Sequence, residues 1–157
     1  MNESKVDIFT PLKKHSYYGK QDYEVLTWEE IINNFNKNIL LNQTIDLLPG
    51  YTLITADIYE NKKVIPILER LSIQNPKHVC TAHLYVSFSE KSSTFGKHKD
   101  NVDVWYWQCI GNTRWTVYDD KTYIYDLTPG DMIYVPREMY HSTQPLTPRA
   151  GISFGID

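Results

Sequence analysis

From Cys80 onward, turn signals cut the chain into short runs rich in aromatic and β-branched residues, and that punctuation leaves few folds open. Residues 83–89 alternate, and residues 102–110 hold Val102, Val104, Trp105, Tyr106 and Trp107. Gly111-Asn112 reads as a two-residue hairpin turn into a strand over 113–118. Asp119-Asp120-Lys121 turns the chain again into 122–126, Thr128-Pro129-Gly130-Asp131 precedes a strand over 132–135, and 150–156 is the last strand. Ahead of this region the periodicity is helical. Thr27-Trp28-Glu29-Glu30 is a capping box, in which the Thr27 side chain takes the Glu30 amide and Glu30 reaches back. Ile31, Ile32 and Phe35 follow, which predicts a helix to about residue 38 that buries all three against a sheet. A second helix is predicted over 64–73, with Ile67, Leu68 and Leu71 as its stripe and a stop before Asn75-Pro76. Residues 1–26 read as irregular chain or short edge strands, Leu47-Leu48-Pro49-Gly50 as a turn and 51–59 as a strand. Helices first and then six or seven short strands predict an all-β core with accessory helices, built as a double-stranded β-helix barrel of the jelly-roll or cupin type. The expected organisation is one domain over 1–157, with 1–79 packed on a barrel core at 80–156.

Within the strand region, His98-Lys99-Asp100 stands out. Residues two apart in extended chain share a face, so His98 and Asp100 can reach one ion together. His141, 41 residues after Asp100, can add an imidazole from a distant strand. Two histidines and one carboxylate on one side of a metal leave other positions open, the usual arrangement of non-haem Fe(II) oxygenases. His98, Asp100 and His141 are therefore the expected metal ligands and catalytic set. His15, His78 and His83 lack such a setting and read as surface or packing residues. Trp105, Tyr106, Trp107 and Trp115 could wall a peptide site, but alternating aromatics are ordinary strand packing, and core is the expectation.

Bulk composition narrows the partners. A length of 157 residues suits one sizeable core, and the net charge is −3, so a basic nucleic-acid footprint is absent and nothing suggests a membrane surface. Cys80 and Cys109 are too few for a disulfide scaffold and read as reduced thiols. No apolar run approaches the roughly 20 residues of a membrane span, and the N-terminal residues show no apolar signal core. Asn42-Gln43-Thr44 matches a glycosylation acceptor but means little without such a signal. The expected location is the cytoplasm, with neither nucleic acid nor membrane as partner.

The blocks around the triad resemble a known family. His98-x-Asp100 is followed by Asp103-Val104, Gln108, Gly111 and Arg114-Trp115, a spacing similar to the JmjC-type, cupin-like 2-oxoglutarate oxygenases, especially their ribosomal-oxygenase branch. Leu127-Thr-Pro129-Gly130-Asp131 through Tyr134 and Pro136 to His141 resembles that family's second block. Ser87-Phe88-Ser89 and Gly151-Ile152-Ser153-Phe154-Gly155 also fit. The likeness covers residues 80–156, about half of the chain. It implies an Fe(II)- and 2-oxoglutarate-dependent oxygenase that hydroxylates a protein or peptide side chain, with His98, Asp100 and His141 on the iron. The iron and cosubstrate would carry the hard chemistry while the protein supplies geometry and excludes water.

One position departs from the family. Two residues past Gly111 the family usually carries Lys or Arg, a cation for the far carboxylate of 2-oxoglutarate; here it is Thr113. Arg114 points to the opposite face of the strand. Arg149 shares strand parity with Gly151 and Ser153 and is the candidate substitute, since a guanidinium suits a carboxylate. Ser89, Thr113 and Ser153 are the expected hydrogen-bonding helpers. Two other readings stay open: a metal-binding cupin oxygenase acting on a small molecule or without 2-oxoglutarate, and a catalytically silent cupin-like binding module. A homodimer is compatible with either. The sequence ends after the last expected strand, without the dimerisation and winged-helix regions of the larger ribosomal oxygenases, which counts against a ribosomal substrate.

Overall fold

The computed structural model describes residues 7–41, 45–50, 52–55 and 58–157. The glycosylation motif at Asn42, and Tyr51, Ala56 and Asp57 of the strand predicted over 51–59, lie outside them. The described elements run β1 (Ser16–Lys20), α1 (Trp28–Leu40), β2 (Asp46–Leu48), β3 (Thr52–Thr55), α2 (Ile65–Gln74), β4 (Cys80–Ser87), β5 (Asp103–Ile110), β6 (Thr113–Tyr118), β7 (Thr122–Leu127), β8 (Asp131–Val135), β9 (Tyr140–Pro145) and β10 (Arg149–Ile156). Strands β1-β8-β5-β10-β4-β3-β2 form a seven-stranded sheet, and β7-β6-β9 form a three-stranded one. Every pairing between strands is antiparallel. This is the double-stranded β-helix fold.

Strand parity divides the side chains of the large sheet between two cores. Trp105 and Trp107 on β5, Leu84 and Val86 on β4, and Ile152 and Phe154 on β10 are buried on the face that carries the helices. Ile31 and Phe35 of α1 and Ile67 and Leu71 of α2 pack into that same cluster. Tyr106 of β5 points the other way and joins Trp115, Val117 and Leu127 inside the barrel. The larger hydrophobic mass therefore lies between sheet and helices. That leaves room in the barrel for a cavity.

The capping box at Thr27 forms as read: Glu30 donates its amide to Thr27 Oγ1, and Thr27 donates its own to the Glu30 carboxylate at 2.8 Å. Thr27→Ala is expected to lower unfolding stability by about 1 kcal/mol, seen as an earlier denaturant midpoint at constant slope. The predicted stripe needs one correction. Ile31 and Phe35 are buried, but Ile32 is 55% exposed, because the inward positions step by four and then three to Asn38. In α2, Ile67 and Leu71 are buried and Leu68 is half-buried.

Gly111-Asn112 is not a hairpin. Strand β5 belongs to the large sheet and β6 to the small one, so this turn carries the chain across the barrel. Gly111 has φ +64, and a Cβ there would lie 2.0 Å from the Pro148 carbonyl oxygen. Asn112 donates its amide to Thr147 Oγ1, and Leu146 donates to the Asn112 carbonyl, which pins the crossing to the turn before β10. The true hairpin is Asp119-Asp120-Lys121, where Asp119 donates to the Lys121 carbonyl and β6 pairs with β7. Two strands escaped the sequence reading. Strand β2 includes Leu47 and Leu48, which read as a turn, and β9 is the polar run around His141. Both cysteines are free thiols.

Candidate metal centre and adjoining cavity

His98 and Asp100 do not sit in a named strand. His98 forms an isolated antiparallel bridge with His141, each donating its amide to the other's carbonyl at 2.9 and 2.8 Å. That bridge fastens the loop after β4 to the edge of β9 and brings the two imidazoles together. Their ring centroids are 4.4 Å apart. Asp100 is placed by its own carbonyl, which accepts the Glu138 amide at 2.8 Å. Glu138 holds φ +63, a conformation few residues with a Cβ adopt, and it does so while reaching Asp100 with its backbone and Lys99 with its side chain. One ligand atom from each of His98, Asp100 and His141 lies within 4.8 Å of the others.

The donor chemistry suits a divalent transition metal. Both histidines direct Nδ1 at a backbone carbonyl, His98 at Gly96 (2.9 Å) and His141 at Met139 (3.1 Å). Nδ1–H therefore donates there, and the lone pair stays on Nε2, which faces Asp100 at 3.8 Å from His98 and 3.4 Å from His141. Burial lowers the His141 pKa, and neighbouring His98 adds to the effect, against the Met139 carbonyl and Asp100 that raise it. The neutral, metal-competent imidazole is the favoured form. Trp115 stacks on His141 at 5.3 Å with an interplanar angle of 18°, fixing the ring's plane.

The triad opens on a cavity of about 240 Å³ lined also by Tyr85, Phe95, Tyr106, Thr143, Arg149 and Ser153. This is smaller than the roughly 300–1,000 Å³ of pockets for drug-sized ligands and is scaled to a small molecule. Arg149 is 2% exposed; its Nε donates to Ser87 Oγ at 3.0 Å and its Nη1 to Tyr106 Oη at 2.8 Å. Among the described residues no carboxylate lies within ion-pair distance of it. Gly151 makes this arrangement possible, since a Cβ there would stand 2.1 Å from Tyr106 Oη. Tyr85 is held up at about 12, mainly by burial and further by Asp100 against the opposing pull of Arg149. Its hydroxyl is a donor at any working pH, within electrostatic reach of both groups.

The other sequence candidates are placed unequally. Ser153 lines the cavity. Thr113 is fully buried on the inward face of β6, the face of Trp115, but is not among the residues that line the cavity, and its Oγ1 has no hydrogen-bond partner among the described residues. Ser89 lies outside the cavity: β4 ends at Ser87, and Ser89 Oγ accepts the Lys91 amide in the following turn. The residue opposite Arg149 in the ladder is Ser87, two positions earlier on the same face. Tyr85 and Thr143 were missed although parity with Ser87 and His141 points to them. Tyr106 and Trp115, read as core, are buried but also line the cavity, whereas Trp105 and Trp107 are core alone. Of the remaining histidines, His15 packs between Asp119 and Tyr125, while His78 is exposed and His83 half-buried.

Comparison with known proteins gives a fold and a family signal. A JmjC domain family model matches residues 57–126, a span that includes His98 and Asp100 and stops before His141. No curated protein matches the chain. Among solved structures, YcfD, a ribosomal oxygenase from Escherichia coli, in complex with cobalt and succinic acid, matches with TM-score 0.61 at 20% identity. The match covers 73% of this chain and 34% of that one, so this chain spans about a third of the length of YcfD. The YcfD complex with cobalt and 2-oxoglutarate matches with TM-score 0.59 at 20% identity, over 71% and 33%. A cupin superfamily protein from Desulfitobacterium hafniense matches with TM-score 0.50 at 14% identity, over 71% of this chain and 83% of that one. No helix among the described residues is long and apolar enough to cross a membrane.

Proposed function

We propose that this chain is a JmjC-type, cupin-like Fe(II)- and 2-oxoglutarate-dependent oxygenase that hydroxylates a protein or peptide side chain, a reading supported by the JmjC domain model over residues 57–126 and by the fold shared with YcfD. The observation that carries the reading is a single cavity holding both a two-histidine, one-carboxylate set and a buried guanidinium that pairs with no carboxylate among the described residues. His98, Asp100 and His141 would hold the metal. The bound iron would supply the oxygen chemistry, coupling oxidative decarboxylation of the cosubstrate to insertion of oxygen into a C–H bond.

The chain's own residues account for recognition of a diacid. A dicarboxylate chelating the metal at one end brings a second charge into a partly buried pocket, and leaving that charge unpaired costs several kcal/mol. Arg149 can take it, because Nη2 has no hydrogen-bond partner among the described residues while Nε and Nη1 are held by Ser87 and Tyr106. Those two bonds set the guanidinium plane before ligand arrives. Ser153, which lines the cavity, can add a hydrogen bond to the same carboxylate. YcfD, which shares the fold, is known in complex with cobalt and 2-oxoglutarate.

Thr113 favours a second reading, a cupin oxygenase that works without 2-oxoglutarate, since the family's usual cation is missing there. Anaerobic titration of the protein with Fe(II) and then 2-oxoglutarate separates the two. The expected result is a weak visible charge-transfer band that appears only when both are present. Fe(II) binding with no band at saturating 2-oxoglutarate would exclude the first reading.

A further inference from the structure

Three residues from three neighbouring strands stand in one row across the large sheet. Thr52 of β3 is the ladder partner of Ser87 on β4, and Ser87 is the partner of Arg149 on β10. Directly opposed residues share a face, so all three side chains turn toward the barrel. Thr52 is 1% exposed and Ser87 is fully buried. The hydrogen bonds along this row run in one direction, and the chemistry at its two ends fixes that direction. The Ser93 carbonyl can only accept, so the Thr52 hydroxyl donates its one proton there, at 2.6 Å. Thr52 Oγ1 must then accept from the Ser87 hydroxyl, 2.9 Å away. Ser87, having given its proton to Thr52, meets Arg149 Nε as an acceptor at 3.0 Å, and a guanidinium can only donate. Both hydroxyls are thereby fixed. The far end is anchored as well: the Ser93 amide donates to the Pro49 carbonyl at 3.1 Å, and a Cβ on Gly50 would lie 3.0 Å from the Ser93 nitrogen.

We propose that Thr52 is a positioning residue which, acting through Ser87, aims the Arg149 guanidinium into the cavity and so raises the affinity for the bound acid. Two acceptors hold that guanidinium, Ser87 Oγ on Nε and Tyr106 Oη on Nη1. The tyrosine oxygen is carried by a ring packed 5.0 Å from that of Trp115, so it keeps its place. The serine oxygen also keeps its place, but its proton turns about a single bond and can face Arg149 instead of leaving a lone pair there. Thr52 prevents this by taking the proton. Among the described residues Ser87 Oγ has no other acceptor to donate to. Thr52 itself is not part of the cavity wall, and it lies ahead of the span matched by the JmjC domain model, so neither the cavity nor the family points to it. The affinity half of the proposal rests on the diacid reading. The chain of bonds does not.

Two measurements test it. In isotope-labelled, metal-free protein, proton–nitrogen NMR shows the Arg149 Nε–H, identified by its loss in Arg149→Met. Thr52→Val keeps the branched shape and deletes the hydroxyl; it should speed solvent exchange of that proton by about tenfold or more, and Thr52→Ser should restore the protection. In Mn(II)-loaded protein, calorimetric titration should show Thr52→Val binding 2-oxoglutarate about tenfold more weakly, with Mn(II) affinity unchanged and most of the loss recovered in Thr52→Ser. Ser87→Ala should show a similar loss, and adding Thr52→Val to it should change affinity little further, because both act through one bond. A threonine that serves only the fold would lower the melting temperature and leave both readouts where they were. Unchanged Arg149 exchange in Thr52→Val, or an affinity loss that adds in full to that of Ser87→Ala, would overturn the proposal. If the parent binds no 2-oxoglutarate, the cosubstrate reading falls, and the exchange measurement still decides whether Thr52 holds Arg149.

Discussion

Asp100→Ala should abolish metal binding at the triad while leaving the fold intact. Asp100 contributes the only formal charge in the set; without it two neutral imidazoles remain, with ring centroids 4.4 Å apart. Partners of metal ligands, when removed, typically lower affinity by 10–100-fold, so loss of a charged ligand itself should exceed about 100-fold. The side chain is a clean target. It is 35% exposed, and among the described residues its side chain lies within ion-pair distance of His98 and His141 alone. His141→Ala would be harder to read, because that ring is 3% exposed and stacks on Trp115, so packing would be lost along with the ligand. The measurement is Co(II) titration followed by visible absorption, with circular dichroism as the control for folding. Co(II) bound by Asp100→Ala as tightly as by the parent would remove the triad as the metal site, whatever the fold.

The residues that were legible in the sequence obey a local rule. The capping box at Thr27 is specified by two side chains three positions apart, and strand β6 occupies 113–118 as read because its turn residues and alternation agree. Arg149 could be placed toward the cavity from parity with Ser153 alone. What failed needed tertiary information. Gly111-Asn112 has hairpin chemistry, yet it spans two sheets because Thr147 and Pro148 press against it from a distant turn. The Ser89 assignment depended on where β4 stops, and strand ends are set by what the chain packs against next. Strand β9 is polar and half exposed, so hydrophobic pattern cannot reveal it; only its pairing with β6 and the bridge to His98 do. The same bridge, which no short-range signal encodes, is what turns three scattered residues into one site.

Arg149→Met should separate ligand binding from stability in opposite directions. In the free protein the guanidinium is 2% exposed and, among the described residues, is hydrogen-bonded to two hydroxyls alone, those of Ser87 and Tyr106. Replacing an uncompensated buried charge with an apolar side chain of similar length is commonly neutral or stabilising, so the variant without ligand should melt at or above the parent's temperature. The same change deletes the partner of the cosubstrate's far carboxylate. Breaking a buried ion pair costs about 3–5 kcal/mol, equivalent to a loss of roughly two to three and a half orders of magnitude in 2-oxoglutarate affinity. Thermal melts of the Mn(II)-loaded protein read both effects at once. At 100 times its Kd, 2-oxoglutarate should stabilise the parent by ~2.7 kcal/mol, a shift of roughly 5–10 °C for a chain of this size. Arg149→Met should keep the shift caused by metal and lose the one caused by 2-oxoglutarate. Adding Thr113→Lys to that variant should restore part of it, because β6 then presents a cation from the face of Trp115. A lowered melting temperature together with an undiminished 2-oxoglutarate shift would mean that Arg149 is a structural residue, and that the carboxylate is held elsewhere.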